Sequence, residues 1–110
     1  NVWVADNGFN FNSIPGNVWK FTPNGVGTRY PIGVQPIRCC AGADGNIWVT
    51  DFGSGSPGLD TGVWKVTPDG VGTFYNININ IPTYLKSGPD GNIWIIFAND
   101  FVNGNLVKVN

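Results

Sequence analysis

Gly45-Asn46-Ile47-Trp48-Val49-Thr50-Asp51 is a short apolar run entered from an Asp-Gly turn, and the chain writes it three times. Asn1-Val2-Trp3-Val4-Ala5-Asp6 is the first copy and Gly91-Asn92-Ile93-Trp94-Ile95-Ile96-Phe97 the third. The opening Asn stands at 1, 46 and 92. A period of about 45 residues with strand-like content marks a β architecture built blade by blade. Alternation places Val2 and Val4 on one face of the strand, and Trp3 and Ala5 on the other. Both faces are apolar, as expected of a strand lying between two neighbouring sheets.

Three further segments recur around this one. With the quoted run as B, segment C is Gly16–Thr22, Gly62–Thr67 and Asn105–Val109, each with a Lys between apolar residues. Segment D is Gly27–Tyr30 and Gly72–Tyr75, and segment A is Ile37–Ala41 and Thr83–Ser87. Asp44-Gly45 and Asp90-Gly91 join A to B, while Pro23-Asn24-Gly25 and Pro68-Asp69-Gly70 join C to D. Asn-Gly and Asp-Gly between β-type runs are strong hairpin signals, because these residues tolerate positive φ. The aspartates at these positions are therefore expected to form turns, not sites. Asn-Ile-Asn-Ile-Asn-Ile at 76–81 alternates in register with a strand and is expected to form or extend an outer edge.

The resulting order, B-C-D, A-B-C-D, A-B-C, predicts an all-β chain of ten strands. Its units are a partial blade over 1–34, a full blade over 35–81 and a partial blade over 82–110. Four-stranded antiparallel meander blades with this period predict a β-propeller segment, an incomplete ring within one chain. A two-layer sandwich is the competing architecture; the doubly apolar B segment and the strict recurrence argue against it.

Composition agrees. Hydrophobic residues make up 42%, enough for a core, and charged residues 12%, about half the usual share. Glu, His and Met are absent, and Gly, Asn and aromatics are abundant, which disfavours helices. A net charge of −1 supplies no field for nucleic acid or anionic lipid, and no apolar run is long enough to span a bilayer. Low Lys, no Glu and high Asn, Thr and Gly point to an extracellular or cell-surface setting. There is no initiator Met and no targeting segment, so a mature product, a fragment or an excerpt of a longer chain is expected.

The stretch Gly88-Pro89-Asp90-Gly91-Asn92-Ile93-Trp94, with Trp64-Lys65-Val66-Thr67-Pro68-Asp69-Gly70, resembles the repeat of the virginiamycin B lyase-like propellers and their NHL-type kin. The resemblance covers nearly the whole chain and implies closed rings of six or seven blades with the A strands nearest the axis. It also implies elimination chemistry with a histidine base, a glutamate and magnesium. This chain has neither His nor Glu, so those roles fall on no position in it.

Unequal linkers locate candidate binding residues. The B–C links (Asn7–Pro15, Phe52–Thr61, Ala98–Gly104) and the D–A links (Pro31–Pro36, Asn76–Pro82) lie at one end of every unit and differ between units. Variable loops on a rigid scaffold are where ligands bind. The candidates there are Asp6, Phe9, Asn10, Phe11, Asn12, Asp51, Phe52, Asp60, Asn99 and Asp100. The oxygens suit a hard cation such as Ca²⁺, although no standard calcium loop is present and a solvated loop with Asx turns is the favoured reading. No cofactor is expected. Phe9, Phe11 and Phe52 suit a stacking platform under a carbohydrate. Arg38, Tyr84 and Lys86 on the A segments are candidates to line an axial channel. Adjacent Cys39 and Cys40 fit two small buried apolar residues; a strained vicinal disulfide is the sharper alternative.

The functional expectation is a non-catalytic scaffold or binding module, completed by missing blades or by copies of itself. The rivals are a fragment of a lyase-like enzyme whose catalytic residues lie elsewhere, and a carbohydrate-binding propeller.

Overall fold

The computed structural model describes residues 1–8, 16–53, 61–76, 81–98 and 104–109, without the side chains of 81–83, 97, 98 and 104–109. Among the described residues ten strands follow one another: β1 (Val2–Asp6), β2 (Asn17–Phe21), β3 (Gly27–Tyr30), β4 (Pro36–Ala41), β5 (Ile47–Asp51), β6 (Gly62–Val66), β7 (Gly72–Asn76), β8 (Ile81–Ser87), β9 (Ile93–Ala98) and β10 (Gly104–Val109). They form three antiparallel sheets: β1-β2-β3, the four-strand meander β4-β5-β6-β7, and β8-β9-β10. The B–C register is identical in all three. Trp3 faces Lys20, Trp48 faces Lys65, and Trp94 faces Lys108.

Many strand ends differ from the sequence expectation by one residue, and the two A strands both start early. Ile81, assigned to the second unit, opens β8 opposite Ala98 in the third sheet. The first A strand starts at Pro36 instead of Ile37. Both strands take a proline because β4 and β8 are edge strands, where a missing N–H breaks no ladder on the outer side. Of the segment 76–81, Asn76 ends β7 and Ile81 begins β8; the residues between lie outside those described.

The hairpins follow their turn chemistry. Asp44 Oδ1 accepts from the Asn46 amide at 3.1 Å and Asp90 Oδ1 from the Asn92 amide at 3.1 Å, closing the two A–B turns. The side chains and amides of Asn46 and Asn92 hold these carboxyls below their ordinary value. In the C–D turns, Thr22 Oγ1 accepts from Val26 N and Thr67 Oγ1 from Val71 N, both at 3.1 Å.

Gly25 and Gly70 occupy matching turn positions with φ of 88° in each. A Cβ on Gly25 would meet nothing, whereas a Cβ on Gly70 would run into the Tyr30 ring of the neighbouring sheet. Gly25→Ala is therefore expected to cost about 1 kcal/mol of left-handed strain. Gly70→Ala must also displace Tyr30, which raises the cost to about 3 kcal/mol. Urea titrations of the two variants would show this gap; equal midpoints would contradict the close approach of the sheets.

Packing between sheets makes the core. One cluster joins Val18 of the first sheet to Ile47, Val49 and Val66 of the second, with Ile32 from the link, and takes in Trp3, Ala5, Tyr30, Cys39 and Trp64. The other joins Trp48 and Val63 of the second sheet to Leu85, Ile93 and Ile95 of the third, with Cys40 against it. The middle sheet thus buries both faces, which is why β5 is buried at all five positions. β4 packs against both β1 and β8.

One device recurs on the B-strand tryptophans. Trp3 lies between Tyr30 (centroids 5.9 Å apart) and Lys20 Nζ (5.5 Å), and Trp48 between Tyr75 (6.2 Å) and Lys65 Nζ (5.7 Å). The C-strand Lys and D-strand Tyr cover the indole with a cation and a ring.

Candidate functional site

Each B strand of the first two sheets ends in an aspartate, and these two carboxylates organise the loop end. Asp51 is 1% exposed. Its Oδ1 accepts from Gln35 N and Gly53 N, each at 2.8 Å, and its Oδ2 from Val34 N and the Trp64 indole N–H, each at 2.9 Å. A carboxylate has about four lone-pair sites, and here all are occupied. The donors come from the D–A link, the B–C link and β6. One side chain therefore ties the two long loops to each other and to the sheet. Phe52 N donating to Gln35 O at 3.0 Å and Gly16 N donating to Val34 O at 2.9 Å add backbone ties.

Asp6 holds the equivalent place with fewer partners. It accepts from Gly8 N at 3.1 Å and from the Trp19 indole N–H at 3.2 Å. The Gly8 amide first, and then the Trp19 indole, hold its carboxyl below the ordinary value. A carboxylate so stabilised is a weaker base than a free one. Beside it opens a cleft of about 460 Å³ lined by Val4, Ala5, Asp6, Asn7, Trp19, Phe21, Pro36 and Ile37. Trp19 and Phe21 stack there with ring centroids 5.8 Å apart.

The Asp–Trp pair is the feature that inspection of candidate ligands overlooks. Its signal is nevertheless present: Asp6 and Asp51 are each followed thirteen residues later by a tryptophan. In the third unit both members change together, to Phe97 and Val107.

The other candidates divide. Phe52 is half-buried beside the Asp51 knot. Phe9, Asn10, Phe11, Asn12, Asp60, Asn99 and Asp100 lie outside the described residues. Among the described residues no group of three or more His, Cys, Asp or Glu gathers as a metal cluster. A cation at Asp51 would have to displace backbone and indole donors, so its carboxylate acts as a structural staple. Arg38 and Tyr84 meet across the β4–β8 contact, with the guanidinium 5.8 Å from the ring centroid. Lys86, two residues further along β8, is exposed.

Cys39 and Cys40 stand as free cysteines, both half-buried. Adjacent strand residues point to opposite faces, and Cys39 packs in one core cluster while Cys40 packs against the other. Cys39 Sγ reaches Trp3 O at 3.3 Å. Burial raises both thiol pKa values, and with the adjacent Cys39 it pushes Cys40 up to about 11. Near pH 8, Cys40 is expected to react with a disulfide reagent about 100-fold more slowly in the native chain than in urea. Fast stoichiometric labelling of both thiols without denaturant would contradict this packing.

The chain matches no known family model, no curated protein and no solved structure.

Proposed function

We propose that this chain is a non-catalytic scaffold: a segment of a β-propeller of the virginiamycin B lyase-like or NHL type, working at a cell surface or outside the cell. Its long-loop end offers a binding surface on a rigid stack. The observation that carries this reading is positional. The first B-strand residue is 62% exposed in the first sheet (Val2), but 6% and 2% in the second and third (Ile47, Ile93). Ile47 and Ile93 each face a preceding sheet, and Val2 is the same position without one. Sheets that cover one another in sequence, always by the same faces, are the building rule of a propeller. The two loop-end aspartates support a scaffold because hydrogen bonds from loops and indoles, rather than a reacting group, surround them.

Hairpin tips give the test. In a radial fan, the C–D tips of adjacent sheets stand farther apart than the A–B tips. Spin labels are placed at Asn24 and Asp69 for the outer pair, and at Ala43 and Pro89 for the inner pair, with Cys39 and Cys40 replaced by alanine. Dipolar distances clearly longer for the outer pair are expected. Equal distances would mean flat parallel layers and overturn the propeller reading.

A further inference from the structure

The two C–D turns are one turn written with different side chains. In each, a threonine amide donates to a valine carbonyl, Thr22 N to Val26 O and Thr67 N to Val71 O, both at 2.9 Å. The glycine amide bonds back to the threonine carbonyl, Gly25 N to Thr22 O and Gly70 N to Thr67 O, again at 2.9 Å. The residue ahead of the glycine is Asn24 in the first turn and Asp69 in the second. Asn24 therefore stands where the fold already accepts a carboxylate. Its side chain is also polarised: Thr22 Oγ1 donates to Asn24 Oδ1 at 2.8 Å, while accepting from Val26 N at 3.1 Å. A hydroxyl on that oxygen draws electrons from Cγ and supports negative charge as it arrives on the oxygen. Asn24 and Gly25 are exposed. A Cβ built on Gly25 would meet nothing within 4 Å, so no group obstructs the Gly25 main chain or an approaching water.

We propose that Asn24 is a site of spontaneous deamidation, with Thr22 as its positioning residue and water as the co-reactant. The Gly25 nitrogen gives up its proton to hydroxide and bonds to Asn24 Cγ. The Cγ–Nδ2 bond breaks, and ammonia leaves with a proton taken from water. Water then opens the five-membered imide. Cleavage between the nitrogen and Cγ gives aspartate; cleavage between the nitrogen and the main-chain carbonyl carbon gives isoaspartate. Either way one water is consumed for each ammonia released. The aspartate product is the turn already present at Asp69. The isoaspartate product has one extra carbon in the main chain, which disturbs the pairing of Phe21 with Gly27 at the end of the β2–β3 hairpin. The other turns of this type do not compete. Asn46 and Asn92 hold the Asp44 and Asp90 carboxyls below their ordinary value, so both stay ionised, and an ionised carboxylate is a poor electrophile. Asn7 is exposed and also precedes a glycine, but the Gly8 amide donates to the Asp6 carboxylate at 3.1 Å. That negative charge opposes loss of the Gly8 proton, whereas the Gly25 amide has only the neutral Thr22 carbonyl to leave. Among the described asparagine–glycine pairs, Asn24 therefore reacts first.

The experiment is peptide mapping by mass spectrometry of the folded chain held in mildly alkaline buffer, with a parallel sample in urea. In the folded chain the Asn24 peptide is expected to change from amide to acid several-fold faster than the Asn7 peptide, with aspartate and isoaspartate both appearing. In urea, where both pairs lose their partners, the two rates should converge. Thr22→Val removes the hydroxyl and should slow the folded-state reaction at Asn24 several-fold. Thr22→Ser keeps the hydroxyl and should restore the parent rate, and neither variant should alter the rate in urea. Near-ultraviolet circular dichroism confirms that each variant is folded. Asn24→Asp supplies the aspartate product directly and should unfold at the parent's urea concentration. An Asn24 that converts no faster than Asn7 in the folded chain would overturn the proposal. A folded Thr22→Val chain that converts as fast as the parent, or a Thr22→Ser chain as slow as Thr22→Val, would overturn the part given to Thr22. An Asn24→Asp chain that unfolds at clearly lower urea would overturn the equivalence of the two turns.

Discussion

Asp51→Ala is expected to cost about 4 kcal/mol. The removed carboxylate is buried and accepts four hydrogen bonds. Alanine leaves the amides of Val34, Gln35 and Gly53 and the Trp64 indole without that acceptor in a buried place. Each stranded buried donor costs about 1–3 kcal/mol, reduced where water enters. A domain of this size has about 5–15 kcal/mol of stability in total, so a large part of it rests on one side chain. Asp51→Asn is expected to fall between, because an amide keeps the volume but turns an N–H toward other donors. Urea unfolding followed by tryptophan fluorescence measures all three proteins. A loss below about 1 kcal/mol for Asp51→Ala would show that the knot is not what ties the loops.

Trp48→Ala is the second large effect, about 4 kcal/mol. Trp48 is buried in the contact between the second and third sheets, with Val63, Leu85, Ile93 and Ile95 around it. Its ring also carries the stack with Tyr75 and the approach of Lys65. Truncation loses the buried area and leaves a cavity between two rigid sheets, which cannot close without shifting strand pairing. Trp94 occupies the same register position opposite Lys108 but is only half-buried. Trp94→Ala is expected to cost less than half as much in the single-chain form. Equal losses at the two positions would mean that the middle sheet is not covered on both sides.

The ten strands, their order and their hairpins are legible in the sequence because turn chemistry and alternation are local signals. Asp44-Gly45 and Asp90-Gly91 state their role within a few residues, and the structure finds both in turns. The two apolar faces of Asn46–Asp51 likewise announce a strand between sheets, and Cys39-Cys40 announces opposite faces by adjacency alone. Asp51 is a different case. An aspartate at a strand end before a long Gly-rich loop reads equally as a ligand or as an acceptor. The choice depends on Val34 and Gln35, which belong to a link sixteen or more residues earlier. Nothing local to Asp51 says that this link crosses over it. Ile81 fails for a related reason: its alternation with Asn80 continues the preceding run, but its partner is Ala98 in another sheet.

Burial of a repeat position is set by whether a neighbouring sheet covers it. Val4 and Val49 are the same position without and with one. The most direct measurement is the unfolding free energy of Val49→Asp against that of Val4→Asp, both taken at low protein concentration. A carboxylate at Val49 would sit in the contact between the first and second sheets without a partner, so a loss of at least about 4 kcal/mol, or failure to fold, is expected there. At Val4 the account predicts a change within about 0.5 kcal/mol. Equal losses at the two positions would contradict it.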